Sequence, residues 1–448
     1  MMAVMLCTPA LHAMDLSLPA AVDLALKNSP ALDKAKAEHR AAVMDRKSVF
    51  GAFLPQVSVE GSIMGIKQSS IDPVTLPAGS FATTPIMIPS DDVVMNLMPS
   101  PDHSYGFSAT VTQQLNHLFT IYQGYAMAAK GAELRRLNIA LQENAVALST
   151  VSAYFGAKMA LAAVDVADSS LKLLDAHVTD AENFFSQGLI TKGELLKIQM
   201  QQSKVRQVLL EAKQQQQLAL SNLRSLLGLK EDAVLKLTEE VENLPGAPGD
   251  MAKCVEASQD KRLELTMLRG QADIARRAET SAYLQLMPAF LATMNYQYSN
   301  DGSSMTADHT LAGGLVLSWN IWDWGQTYYK AKSAGAQAAA ARAGVAEVEK
   351  GVRLQVEQAW RNLKVEAEKI ETARVRVDQA EENHRIEQES FAVQQSTATT
   401  LMDAENELQQ ARMELLMAHY GYHVALAGLK TAMGNFPIDR QEAPEAKE

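Results

Sequence analysis

Two histidines, His419 and His423, have the spacing most suggestive of chemistry in this sequence. They lie four residues apart in a helical pattern, which places them on one helix face. Such a pair could bind a metal ion. No glutamate lies between them to complete a metalloprotease motif, and Tyr422 on the same stretch belongs to an apolar seam. We therefore expect two structural histidines, with no metal site and no cofactor.

The remaining sequence also argues against an enzyme. It has no Gly-rich phosphate loop, no nucleophile elbow and no Cys–His cluster, and its carboxylates are scattered along helical patterns. The formal net charge of -11 argues against a nucleic-acid partner. Of the two cysteines, Cys7 lies in an apolar N-terminal stretch and Cys254 is expected to be a small buried residue. If Cys7 is removed on export, no intramolecular disulfide can form.

The distribution of prolines indicates very long helices. No proline lies between Pro101 and Pro245, and none lies between Pro288 and Pro437. Each gap is about 140 residues long and is rich in Ala, Leu, Glu, Gln and Lys, which favour helix. A helix over residues 122–185 would be about 95 Å long, which is more than a compact domain accommodates.

The chain resembles itself, which indicates a tandem duplication. Phe185 corresponds to Phe391, 206 positions later, and Pro55 corresponds to Pro288, 233 positions later. The first copy therefore carries roughly 27 more residues between its strands, in a proline-rich loop. The predicted segments are a signal peptide at 1–13, a first repeat at 14–229, a linker at 230–252, a second repeat at 253–433 and a flexible tail at 434–448. The first repeat has a helix at 15–53, strands at 56–68 and 104–115, and helices at 122–185 and 191–228. The second repeat has a helix at 253–287, strands at 289–299 and 310–321, and helices at 324–395 and 397–431.

The long helices carry coiled-coil seams. Apolar residues recur with alternating gaps of three and four from Leu195 to Leu226, from Leu401 to Ala432 and from Val352 to Ala380. Leucine alternating with alanine lets neighbouring helices approach closely. After the N-terminus no run reaches 18 apolar residues, so we expect no transmembrane helix. Any contact with a bilayer would be made by strands.

Four strands per chain cannot close a barrel, and open sheet edges are not tolerated in lipid. Three chains would supply twelve strands, an even number within the range of outer-membrane barrels. The predicted fold class is therefore mainly α with β, in which tandem helical hairpins and two β-hairpins form a trimeric barrel continuous with an α-helical barrel. A soluble periplasmic coiled-coil adaptor or scaffold is the alternative, although it does not need two symmetric strand pairs.

Several short motifs, in this order and duplicated, resemble the outer-membrane factor (TolC-type) family. They are Ala-Leu-Lys-Asn-Ser-Pro at 25–30, Phe-Leu-Pro-Gln at 53–56, Arg-Leu-Glu-Leu at 262–265, Ile-Trp-Asp-Trp-Gly at 321–325 and the helix breaks near Gly188 and Ser396. The resemblance implies an exit duct of a tripartite efflux or type I secretion system in the outer membrane, with a large periplasmic portion. It also implies a homotrimer, a periplasmic adaptor protein, an inner-membrane pump of the RND, ABC or MFS type, and contact with outer-membrane lipid.

By the same resemblance, the two helix breaks form a periplasmic tip to which the adaptor binds. The tip residues are Gly188, Leu189, Ile190, Thr191, Ser396 and Thr397. Any two stacked helices also need such a turn, so a purely structural role is the alternative. Leu189 and Ile190 are apolar at an exposed position, which favours a contact surface. Gln394 stands where the family often has glycine.

The resemblance also assigns a periplasmic gate to Asp403. Of two acidic positions that narrow the aperture in the family, Asp403 is present and the other is Thr400. Three copies of Asp403 would meet near the axis of a trimer, where their like charges would repel one another. An ordinary solvated helix position is the alternative.

Aromatic residues near the second strand pair could form an interfacial belt or pack at the junction of strand and helix. We expect Trp319 in the belt, Trp322 and Trp324 to be packed, and Tyr296 and Tyr298 to face lipid.

Overall fold

The computed structural model describes residues 14–65, 74–76, 93–95, 103–115, 118–239, 241, 244–246, 249–300 and 309–438. The predicted signal peptide at 1–13 lies outside these residues. So do most of the proline-rich loop and residues 439–448 of the predicted tail.

The chain is mainly helical with a minority of strands, which confirms the prediction at that level. The first half contains β1 (Met14–Leu16), α1 (Leu18–Asn28), α2 (Pro30–Gly51), β2 (Gln56–Gly65), β3 (Val74–Leu76), β4 (Val93–Met95), β5 (His103–Gln114), α3 (Leu118–Ser186) and α4 (Lys192–Leu227). The second half contains β6 (Leu235–Leu237), α5 (Met251–Lys261), α6 (Leu263–Leu284), β7 (Ala289–Asn300), β8 (His309–Ser318), α7 (Gln326–Ala392) and α8 (Ala398–Ala432).

Each helix predicted at the start of a repeat is two helices in the structure. Ser29 has extended backbone between α1 and α2, because the following Pro30 disfavours helical backbone before it. Arg262 has the same extended backbone between α5 and α6 without a following proline. Its side chain is buried and donates hydrogen bonds to the Thr431 carbonyl and to Gln355. The two breaks lie 233 positions apart, the offset of the duplication.

Two short strand pairs were not predicted: β1 lies at the start of the predicted helix 15–53, and the other three strands lie in segments predicted to be irregular. β6 lies in the predicted linker and pairs in parallel with β1, with Met14 opposite Leu235. Tyr154 of α3 donates a hydrogen bond to the Leu16 carbonyl at 2.9 Å and so joins this pair to the helices. β3 and β4 pair antiparallel within the predicted proline-rich loop.

The chain divides into two compact units. One consists of Ala41–Ala132 and Ala272–Ala340 and contains a four-stranded sheet in the order β2-β5-β7-β8. All three pairings in this sheet are antiparallel. β2 and β8 are its edge strands.

The strand register gives the sheet one apolar face and one polar face. Val59, Ala109, Tyr296 and Leu311 lie opposite one another in a row across the four strands. The neighbouring row is polar or small and consists of Ser58, Thr110, Asn295 and Ala312. On the apolar face large side chains are exposed, Leu311 to 65%. On the polar face Asn295 donates a hydrogen bond to the Thr110 hydroxyl at 2.8 Å.

The second unit consists of Met1–Arg40, Glu133–Gln271 and Ala341–Glu448 and holds the apolar seams. The seam of α8 is buried at Leu401, Ala404, Leu408 and Ala411, and that of α7 at Val352, Val356, Leu363 and Ile370. α4 buries Leu195, Ile198, Val205 and Leu209. The alternating gaps of three and four therefore identify the buried faces of these helices.

In the described part of the chain, one helix, α3, has an 18-residue window apolar enough to cross a membrane, with mean hydropathy 1.3. A buried helix of a soluble protein meets the same criterion. α3 has 69 residues, whereas a membrane span needs about 20. This single window is therefore weak evidence for a transmembrane helix.

Candidate functional site

The turn between α3 and α4 is built from two helix-capping devices in succession. The amide of Leu189 donates to the Phe184 carbonyl at 2.9 Å, and that of Gly188 donates to the Phe185 carbonyl at 3.0 Å. Gly188 has φ +71, the left-handed conformation that this helix ending requires. Thr191 then begins α4, and its hydroxyl accepts from the Glu194 amide while the Glu194 carboxylate accepts from the Thr191 amide.

The turn between α7 and α8 repeats this construction with different residues. The amide of Gln395 donates to the Ser390 carbonyl at 2.8 Å, and that of Gln394 to the Phe391 carbonyl at 3.0 Å. Thr397 begins α8 with a capping box in which Thr400 replaces the glutamate. Gln394 occupies the position of Gly188 and has φ +62, so a residue with a β-carbon adopts the left-handed conformation here.

The structure brings the two turns together. Lys197 of α4 donates a hydrogen bond to the Thr399 hydroxyl of α8 at 3.0 Å, and Gln201 donates to Asn406 at 2.6 Å. Beneath the turns, the rings of Phe184 and Phe391 meet edge to face with centroids 6.0 Å apart. The ends of the two repeats thus share one apolar cluster and one polar seam.

The predicted tip residues divide into exposed and packed members. Leu189 is 47% exposed, and space around the Gly188 α-carbon is open. Ile190 is partly buried against the cluster that contains Leu195 and Phe391. Leu189 is therefore the exposed apolar side chain of this turn, and Ile190 belongs to its packed side.

The second turn is more polar. The Ser396 hydroxyl donates to the Glu387 carboxylate, and Thr397 is exposed. Asp403 lies two residues after buried Leu401 and is itself exposed. Lys197 holds the equivalent position in α4, so the two repeats carry opposite charges there. The local geometry alone assigns no function to Asp403.

The residues with potential for chemistry lie in the core and have structural contacts. His423 is buried, stacks on Phe155 with centroids 4.6 Å apart, and lies 3.0 Å from the Val241 carbonyl oxygen. Cys254 is buried, and burial raises the pKa of its thiol, which disfavours the reactive thiolate. These contacts favour structural roles.

The aromatic residues after β8 differ from the prediction. Trp322 and Trp324 were expected to be packed, but they are 73% and 83% exposed and contact each other, with centroids 5.8 Å apart. They lie in an irregular segment after the strand, where Trp324 has φ 56. Tyr296 and Tyr298 lie on the apolar face of the sheet, alongside His309.

Two features of this region had weak sequence signals. The left-handed backbone of Gln394 had one sequence indication, which is that this position corresponds to Gly188 in the first repeat. A buried group of His177, His384 and Glu405 was also missed, although each lies among buried apolar residues of its helix. Polar residues at seam positions are the signal that could have revealed this group.

Comparison with known proteins identifies relatives of this arrangement. The family model for outer membrane efflux proteins matches residues 21–229 and 256–435. A membrane protein from Pseudomonas aeruginosa has a TM-score of 0.77 at 15% identity, over 93% of this chain and 92% of that chain. The outer membrane protein VceC from Vibrio cholerae has a TM-score of 0.74 at 16% identity, over 93% and 96% of the two chains. The Neisseria gonorrhoeae MtrE outer membrane channel has a TM-score of 0.74 at 15% identity, over 94% and 89%.

None of the curated proteins matches the sequence. At such low identity the structural likeness establishes the fold alone.

The conformation of Gln394 gives a prediction about the second turn. Left-handed backbone costs a residue with a β-carbon about 1 kcal/mol more than glycine. Gln394→Gly should therefore slow local opening of this turn about fivefold. Amide hydrogen exchange of peptides covering residues 388–400 measures the change.

Gln395→Gly is the matched control, because it removes a neighbouring glutamine whose backbone is not left-handed. It should leave exchange unchanged or make it faster. Equal exchange in Gln394→Gly and the parent protein would contradict the claim that this position is strained.

Proposed function

The chain belongs to the outer membrane efflux protein family, and we propose that three copies of it close one twelve-stranded barrel from their four-stranded sheets. The family supports the role of an efflux exit duct in the outer membrane. In the proposed trimer, the barrel crosses the outer membrane of a Gram-negative bacterium. The long helices form a tube in the periplasm, and transport through it is passive.

The observation that carries this proposal is the sheet itself. One face exposes large apolar side chains such as Ile63, Leu311 and Leu315, while most side chains of the other face are polar or small. This is the pattern of a barrel with lipid outside and water inside. No described strand pairs with the outer edge of β2 or β8, so one chain leaves two edges to be satisfied by neighbouring copies.

The two turns support the proposed partners. An adaptor protein in the periplasm would contact the exposed Leu189 and its neighbours Gly188, Ile190 and Thr191, together with Ser396 and Thr397. An inner-membrane pump of the RND, ABC or MFS type would supply the energy. Adaptor binding would favour a dilated state of the tube over a closed one. A catalytic role is not proposed, since the family consists of efflux proteins.

The alternative function, a soluble periplasmic coiled-coil adaptor or scaffold, is consistent with the long helices but is not favoured. Such a protein would expose the apolar face of the sheet to water. Exposure of such a contiguous apolar face to water is unfavourable and promotes aggregation, whereas contact of the face with lipid is favourable.

We predict that Leu189→Asp stops export while the trimer remains intact. A charge at the centre of a protein contact typically costs about 2–4 kcal/mol, which weakens binding about 30-fold or more. The measurement is cargo export from cells, with trimer content assessed by native electrophoresis of the same membranes.

Leu189→Met is the matched control, because it keeps an apolar side chain of similar size and should export normally. Full export by Leu189→Asp would remove this turn from the adaptor site.

For Asp403, we predict that Asp403→Ala weakens divalent-cation block of the channel in planar lipid bilayers. A ring of three carboxylates would hold a cation near the axis. Loss of this ring should raise the cation concentration that gives half block about tenfold, which corresponds to roughly 1.4 kcal/mol of binding free energy. Glu407→Ala changes an exposed acid one turn further along α8 and should leave the block unchanged.

Equal block in Asp403→Ala and the parent protein would exclude Asp403 from the gate. Complete absence of conductance in the parent protein would contradict the duct itself.

A further inference from the structure

Three buried ionisable side chains from three helices meet inside the helical unit. His177 of α3, His384 of α7 and Glu405 of α8 are 3%, 7% and 2% exposed. Each lies on the core side of its helix, although ionisable residues are rarely buried unless they are paired. None has a role in the duct as proposed above.

The contacts within this triad are incomplete. His384 Nε2 lies 3.0 Å from Glu405 Oε2, and the rings of His177 and His384 have centroids 6.3 Å apart. Among the described residues, His177 Nε2 has no hydrogen-bond partner. Buried polar atoms without such partners are uncommon and costly, which makes a purely structural role a poor explanation.

The triad lies close to the two interhelical turns. His177 precedes Gly188 by 11 residues, and His384 precedes Gln394 by ten. At 1.5 Å per residue, both histidines lie about 15 Å from the turns along their helices. Between the triad and the turns is the apolar cluster that contains Val178, Phe391 and Met402. A change in packing at the triad would therefore act on the helix ends that carry the proposed tip.

The charges around His177 determine how it responds to protons. Glu405 faces it from α8, His384 from α7 and Asp180 from its own helix. α4 contributes apolar side chains to this region, Ile198 and Val205. The carboxylates of Glu405 and Asp180 favour an imidazolium at His177, whereas His384 disfavours it.

Burial lowers the pKa of His177 from the ordinary value of 6.5, because the imidazolium loses its hydration. Glu405 opposes this shift, and His384 adds to it. A lowered pKa means that the packed state binds fewer protons than a loosened state. The stability of the packed state is therefore complete above about pH 6.5 and decreases as the pH falls from there towards the lowered pKa.

We propose that His177, His384 and Glu405 form a proton-sensitive latch that holds α3, α7 and α8 in the closed arrangement at neutral pH. A proton taken up by His177 at acidic pH places in the core a charge that has lost its hydration, which loosens the three helices and favours the dilated tube. The inference rests on the proposed duct function and adds a regulatory input to it.

The test compares open probability in planar bilayers at pH 7.5 and pH 5.5 for the full-length trimer, His177→Leu and His39→Gln. In the parent protein, open probability should rise on acidification, by at most about tenfold per pH unit for one titrating group. His177→Leu keeps a buried side chain of similar size but cannot titrate, so its response should be lost. His39→Gln changes a histidine of α2 outside the triad and should respond like the parent.

An equal pH response in His177→Leu and the parent protein would overturn the latch, as would a parent protein whose opening ignores pH. Conductance that is absent at both pH values would instead contradict the duct.

In that case amide hydrogen exchange, corrected for the intrinsic effect of pH on exchange rates, tests whether the latch exists. Peptides around His177 and His384 should exchange faster at pH 5.5 in the parent, and equally at both pH values in the His177 variant. If His177→Leu does not assemble, His177→Asn replaces it.

Discussion

Backbone hydrogen bonding at the edges of one sheet is the constraint on which the proposed assembly depends. Within one chain, β5 and β7 are paired on both sides, whereas β2 and β8 are edge strands. In water such edges invite aggregation, and in lipid each unpaired amide or carbonyl costs several kcal/mol. A sheet with an apolar face therefore requires closure by other chains, and identical copies can provide it by symmetry.

The tandem duplication gives the long helices of the two repeats the same construction. Each repeat supplies two strands and two long helices, and each pair of long helices reverses at a turn with the same hydrogen bonds. The turns differ where the sequence has diverged: Gly188 against Gln394, Glu194 against Thr400 and Lys197 against Asp403. Because the shared construction maintains the fold, these differences are the places where the two repeats can acquire separate roles.

Much of the fold could be predicted from sequence because long, regular patterns encode it. The absence of proline, the seams with gaps of three and four, and the alternation in β2 and β5 all reflect burial over many residues. Other features depend on contacts between distant residues. The three-residue strands β1 and β6 are too short to show a pattern, and the break at Arg262 depends on bonds to Thr431 and Gln355. The left-handed Gln394 and the buried triad are likewise set by tertiary packing. For the site, the sequence could locate the turns, but it could not show that Leu189 is exposed while Ile190 packs inward.

The measurement that tests the central claim most directly is the mass of the protein extracted from outer membranes in mild detergent, by light scattering corrected for bound detergent. A protein mass near three times 48.8 kDa, less any cleaved signal peptide, is the predicted result. A monomer recovered without detergent would contradict closure of the sheet by identical copies.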